Sequence, residues 1–211
     1  MNYSKLKTLE KNFLSRYPKG FAEPEFKVIL KKHNPDKLIE MTAEAFQKEK
    51  FKKPDDIILS MTKIISRSSV VSVFEKPKFK DYALSLSTKD KKILANGLHD
   101  FLYGDPRAGF EAMTHVLTPG KIAKWPILTT IPVFFKPKEE VFVKPTTAKS
   151  ILEFFEVKDL IYKPTPTYEF YKGYKDLIMN MIQKTNKSLS PINVAFTGFL
   201  MMSLEEKWMD M

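Results

Sequence analysis

Three dipeptides constrain this chain more than anything else in it: Asn34-Pro35, Asp105-Pro106 and Ser190-Pro191. Each joins a side chain that accepts hydrogen bonds from orphan backbone N–H groups to a residue that has no N–H to offer. That is the chemistry of a helix start, where proline at the first helical position loses nothing and its fixed φ is already helical. Pro24 and Pro54, each followed by an acidic residue, repeat the pattern with weaker caps, because carboxylates are favourable in a first turn. The fourteen prolines therefore read as punctuation between helices.

From these starts, helices are predicted near 4–16, 24–33, 35–49, 54–66, 88–103, 105–117, 147–156, 167–184 and 191–205. Apolar residues recur at helical spacing in Leu94, Leu98 and Phe101, in Phe110, Met113 and Leu117, and in Tyr171, Tyr174, Ile178 and Met181. The last helix is apolar almost all round, from Ile192 through Phe196 and Phe199 to Met202, so it is expected to run through the centre of the fold.

Residues 125–145 break the pattern. Trp125 to Phe135 is rich in β-branched and aromatic side chains and interrupted by Pro126 and Pro132, followed by a turn at Lys136-Pro137-Lys138-Glu139 and a short apolar run at Val141–Val143. That composition predicts a small β-hairpin near residues 127–143, with Pro132 confining its first strand to an edge. The expected fold is mainly α: one compact helical domain of about nine helices with that hairpin, and a natural seam within 118–146.

Composition agrees with a packed domain. The chain has 211 residues, 43% of them apolar and 28% charged, which excludes disordered, collagenous and low-complexity classes. With no cysteine, disulfides, thiolate metal sites and a cysteine nucleophile are out. Neither a signal-peptide core at Met1–Lys5 nor a span of about 20 apolar residues is present, so a cytoplasmic, monomeric protein without membrane contact is expected.

The charge is uneven. Residues 1–150 hold 28 basic and 17 acidic side chains, whereas residues 151–211 hold 7 and 8. An excess of this kind invites a polyanionic partner, although only Arg16, Arg67 and Arg107 supply the guanidinium fork that proteins favour for clamping phosphates and reading bases.

Phosphate-binding glycine loops, the nucleophile elbow and H-E-x-x-H are all absent. His33, His99 and His115 have no i, i+4 pairing, and His99 and His115, on helices flanking Gly104, are offset by roughly 9 Å along the axis, so no metal site or other cofactor is expected. The acidic pairs Asp55-Asp56, Glu139-Glu140 and Glu205-Glu206 are the raw material of a Mg²⁺ nuclease, but the acid-x-Lys spacing at Glu25–Lys27 falls in a predicted helix, and Asp55-Asp56 suit a helix N-terminus. No catalytic residue is assigned.

Two places suit an anion. At Val143–Lys149 an extended run ends and a helix begins, with Lys144, Thr146, Thr147 and Lys149 around its unpaired N–H groups and Lys136 and Lys138 on the adjacent turn. Arg67 lies within Ile64–Val71, where serines interrupt apolar sequence; it is expected to be shielded from solvent, bridging a carboxylate or lining a polar pocket. Tyrosines next to lysines at Tyr162, Tyr168, Tyr171 and Tyr174 have the flavour of a stacking platform, but Tyr171 and Tyr174 fit the buried stripe better.

Phe101–Asp105, Lys124-Trp125-Pro126 with Thr129 or Thr130, and Phe142–Lys149 are similar to phrases in an uncharacterised group of bacterial proteins. They cover about the middle quarter of the chain, and the resemblance implies a bacterial origin and no particular activity.

The functional expectation is therefore non-catalytic binding of nucleic acid or another polyanion. Two alternatives stand beside it: an enzyme or small-molecule binder gripping a phosphate-bearing ligand with Arg67 and the Thr146-Thr147 helix start, and a helical protein-interaction scaffold whose charge keeps it soluble.

Overall fold

A computed structural model describes residues 1–205. The chain runs through α1 (Tyr3–Arg16), α2 (Pro24–His33), α3 (Pro35–Ala45), α4 (Pro54–Arg67), α5 (Glu75–Ser85), α6 (Thr88–Tyr103), α7 (Pro106–Leu117), α8 (Trp125–Phe135), α9 (Pro145–Phe154), α10 (Tyr168–Gln183) and α11 (Asn193–Leu204). Short 3₁₀ helices lie at Gly20–Ala22, Lys48–Lys52 and Lys187–Leu189, and no strand occurs among the described residues.

Proline starts α2, α3, α4 and α7, as capping chemistry requires. Asn34 serves two helices at once. Its left-handed backbone (φ 43°) lets its N–H close α2 onto the Leu30 carbonyl, while its side chain accepts from the Lys37 N–H at the start of α3. Asp105 accepts from the Arg107 and Ala108 N–H groups at the start of α7. The Ser190-Pro191 reading is corrected: α11 begins at Asn193 without a side-chain cap, and Ser190, buried, instead closes the 3₁₀ turn at Lys187–Leu189. The predicted 35–49 helix also ends early, at Ala45, and α5 is an element that the sequence reading lacks.

The β-hairpin near residues 127–143 is not formed. Trp125 to Phe135 is α8, and every residue from Trp125 to Phe134 is buried. A helix enclosed on all sides has no polar face, so its sequence shows no 3.6-residue alternation, and its β-branched and aromatic residues are there to fill space. Pro126 sits in the first turn, where its missing N–H is harmless; Pro132 lies inside the helix. The Thr129 and Thr130 hydroxyls donate to the Trp125 and Pro126 carbonyls four residues back. Val141–Val143 has no regular structure and pairs with no strand, and the Val143 N–H goes instead to the Thr129 hydroxyl (3.1 Å).

Helices α6 and α7 form an antiparallel hairpin around Gly104, crossing where Gly97 faces Gly109. α4 lies against α3, α5, α6 and α8. The aromatic centre comprises Phe101, Phe110, Trp125, Phe170 and Tyr171, linked by ring contacts of 5.1–6.1 Å. α11 is less central than its composition suggests: Phe196, Phe199 and Leu200 are fully buried, but Met201, Met202 and Leu204 are half-exposed where the helix passes α1 and α9.

Tyr174 is wholly buried on α10, its ring stacked on Phe170, and its hydroxyl has no hydrogen-bond partner. Burial alone pushes this phenol far above its ordinary pKa. Removing an unsatisfied buried hydroxyl while keeping the ring relieves a desolvation cost, so Tyr174→Phe is expected to stabilise the chain by about 1 kcal/mol. Denaturant midpoints of the two proteins check this, and a loss of stability would show that the hydroxyl has a partner after all.

Candidate polyanion interface

Between α3 and α4 the chain has two anchors, Phe46 and Phe51, both buried with rings 6.2 Å apart. The residues around these anchors, Lys48, Glu49, Lys50, Lys52 and Lys53, turn outward and are exposed. Burial of two phenylalanines thus forces four lysines onto one short stretch of surface. Tyr103, the last residue of α6, fixes that stretch by donating its hydroxyl to the Phe46 carbonyl (2.8 Å). Burial first, and then the Glu49 carboxylate, raise its pKa above the ordinary value, so the phenol remains a donor at neutral pH.

The Tyr103 ring is also a junction. Lys48 Nζ stands 4.9 Å from its centre, close enough for a cation–π contact. Phe51 and Phe135 meet it edge-on at 6.3 and 5.5 Å. His99 lies 5.6 Å from it and 5.2 Å from Phe51, with Nδ1 3.1 Å from Asp100 Oδ1. Phe135 ends α8, and Lys136 follows it directly. The rings therefore connect the lysines of 48–53 to the turn that carries Lys136 and Lys138.

That turn is held from below by Glu140. Its carboxylate is buried, accepting from the Tyr171 hydroxyl (2.6 Å) and from Lys175 Nζ (2.7 Å). Its carbonyl accepts from Asn193 Nδ2 (2.9 Å), and the Asn193 N–H donates to the Pro137 carbonyl (2.8 Å). Burial, followed by the Glu140 charge, holds the Tyr171 pKa well above the phenol range, so this group too stays protonated and donating. With Glu140 turned inward, Lys138 is left exposed and Lys136 half-exposed, the latter 4.0 Å from Glu139.

The α9 start has a different form from the one expected. Pro145 is the first helical residue and Lys144 the cap, with no side-chain hydrogen bond there. Thr146 is exposed and Thr147 buried. Lys144 Nζ rests on the Met201 sulfur (2.8 Å), and Lys149 Nζ lies over the Tyr162 ring (5.1 Å). Arg67 is exposed at the end of α4, with Nη1 3.5 Å from the Met41 sulfur rather than beside a carboxylate. The expectation that it is shielded is corrected: Ile64 and Ile65 are buried, but Arg67, the last residue of α4, is exposed. Among the described residues Arg67 shares no hydrogen bond or ion pair with Thr146 or Thr147.

Arg107 is engaged elsewhere, paired with Glu169 and Glu111 and lying over the Tyr168 ring. His115 lines an open cleft of about 530 Å³ with Glu111, Thr114 and Tyr168. No group of three or more His, Asp or Glu side chains that could hold a metal occurs among the described residues, Glu206 of the third acidic pair lying outside them. No helix among the described residues is long and apolar enough to cross a membrane. No family model, curated protein or solved structure matches this chain.

Of these residues the sequence reading singles out Lys136 and Lys138, and not Lys48, Lys50, Lys52, Lys53, His99 as their neighbour, or Glu140 as the inward anchor. The available signal was the lysine-rich run Lys48–Lys53 set around Phe51 and following Phe46.

Proposed function

We propose that this chain binds nucleic acid or another polyanion without catalysis, through lysine contacts to phosphate or similar groups. The observation that carries the reading is a pair of basic stretches linked by rings: exposed Lys48, Lys50, Lys52 and Lys53, of which Lys48 lies over the Tyr103 ring, and the turn of Lys136 and Lys138, which follows Phe135 where it meets the same ring. The wider surface agrees. Among the described residues the lysines in ion pairs are Lys5, Lys7, Lys37, Lys91, Lys136, Lys172 and Lys175, leaving most of the others without a carboxylate to neutralise them. Exposed lysine of this kind gains affinity by releasing counterions from a polyanion.

The test compares two variants of equal net charge. Replacing Lys48, Lys50, Lys52 and Lys53 with glutamine is expected to weaken duplex DNA binding at least tenfold at low salt and to flatten the log affinity against log salt plot by about 3 to 4. Replacing Lys11, Lys158, Lys163 and Lys187, all exposed, is expected to change it far less. Equal losses in the two variants would reduce the effect to bulk charge and contradict the assigned surface.

A further inference from the structure

The rings at the centre of this surface carry a second consequence, which rests on the polyanion reading. A duplex keeps its bases stacked on each other and offers a protein surface mainly phosphate, whereas an unpaired strand also offers base faces that stack on aromatic side chains. Lysines alone suit both ligands. Lysines mixed with accessible rings suit the second.

We infer that the 48–53 and 99–103 surface is a stacking site for single-stranded nucleic acid, with His99 and Tyr103 taking bases and the surrounding lysines taking the backbone. His99 has a side chain 37% exposed and its ring packs against Phe51 and Tyr103, so it is held in place while part of it stays open to solvent. Tyr103 is half-exposed, fixed by its hydroxyl bond to Phe46 and supported at its edge by Phe135. The face of Tyr103 is occupied by the Lys48 ammonium, and that ammonium has no carboxylate partner among the described residues. An incoming base replaces the ammonium on the ring, and the freed ammonium moves to the neighbouring phosphate. The exchange gives Lys48 a counter-charge and keeps the ring covered, and both partners gain contact. Lys50, Lys52 and Lys53 on one side and Lys136 and Lys138 on the other extend the track for the backbone. Of the tyrosines suggested by the sequence, Tyr171 and Tyr174 are buried, and Tyr168 lies beneath Arg107, which is already paired with Glu111 and Glu169.

The experiment uses the full chain with three labelled or competing ligands: a mixed-sequence DNA strand of about 12 nucleotides, within the range one small stacking surface covers, its duplex form, and inorganic polyphosphate. The strand is expected to bind about tenfold or more tightly than the duplex at equal salt. His99→Ala is expected to cost roughly tenfold in strand affinity and to leave polyphosphate binding unchanged. Tyr103→Phe keeps the ring and is expected to retain the strand preference, so it separates stacking from the hydroxyl bond that secures the fold. Equal affinity for strand and duplex, with His99→Ala affecting neither, would overturn the stacking site while polyphosphate binding upheld the broader reading. Failure to bind any of the three at low salt would overturn the polyanion reading itself, and this inference with it.

Discussion

Glu140→Ala is expected to cost about 2–3 kcal/mol of stability, because it removes a buried carboxylate and leaves the groups that donate to it in place. The Tyr171 hydroxyl loses its acceptor while wholly buried, and Lys175, whose side chain is 30% exposed, loses its counter-charge. Stranded polar groups cost more than the intact pair contributes, so the chemistry of the replacement matters. Glu140→Gln keeps an oxygen for Tyr171 and is expected to cost less than half as much. A doubly apolar variant, Glu140→Leu with Lys175→Met, is expected to recover much of the loss, since no buried charge then lacks a partner. Denaturant unfolding of the three variants checks the order. A loss below about 0.5 kcal/mol in Glu140→Ala, the range of an ordinary surface substitution, would mean that the carboxylate does not hold the turn.

Gly109→Ala is the second large effect. A Cβ at this position would lie 2.3 Å from the Phe101 backbone nitrogen and 2.5 Å from the Gly97 carbonyl oxygen. Both obstacles are backbone, so no rotamer change relieves the overlap. Helices α6 and α7 must separate, opening the contacts of Leu98, Phe101, Phe110 and Met113, all of them buried. A loss of about 3 kcal/mol or more is expected, at the upper end of overpacking costs. Gly198 supplies the internal contrast. It lies within α11, its nearest neighbour to an added Cβ is Phe21 at 3.8 Å, and alanine there meets only ordinary contact. Gly198→Ala is therefore expected to stabilise by about 0.5–1 kcal/mol through helix propensity. Melting curves for the pair should move in opposite directions, and equal shifts would contradict the close crossing of α6 and α7.

What could be read from the sequence follows the range of the interactions. Asn34 and Asp105 announce α3 and α7 because a cap acts within three residues of itself, and the structure places α2, α3, α4 and α7 at those prolines. α8 could not be read that way. Its signal is erased by neighbours that cover every side, and a composition suited to strands was selected for packing instead. Ser190 has the right chemistry for a cap, but a bend at Pro191-Ile192 separates it from the start of α11. Of the proposed surface, Lys136 and Lys138 are visible in the sequence as a basic turn. Their link to Lys48 passes through Phe135 and Tyr103, whose hydroxyl reaches a carbonyl 57 residues away. No local pattern encodes such a contact. Glu140 illustrates the same limit: beside Glu139 it resembles half of an acidic pair, and only the positions of α10 and α11 reveal that one carboxylate turns inward while the other stays in solvent.

The most direct test is the affinity of the unmodified chain for a nucleic-acid strand across a salt series. Binding that weakens linearly in log–log form between about 50 and 200 mM salt, with a slope near −0.7 for each phosphate neutralised, is the expected result. The six lysines of the two stretches linked through Tyr103 and Phe135 set an upper slope near −4 for this surface alone. Binding absent at the lowest salt, or present with no salt dependence, would contradict the claim that these lysines meet a chain of negative charges.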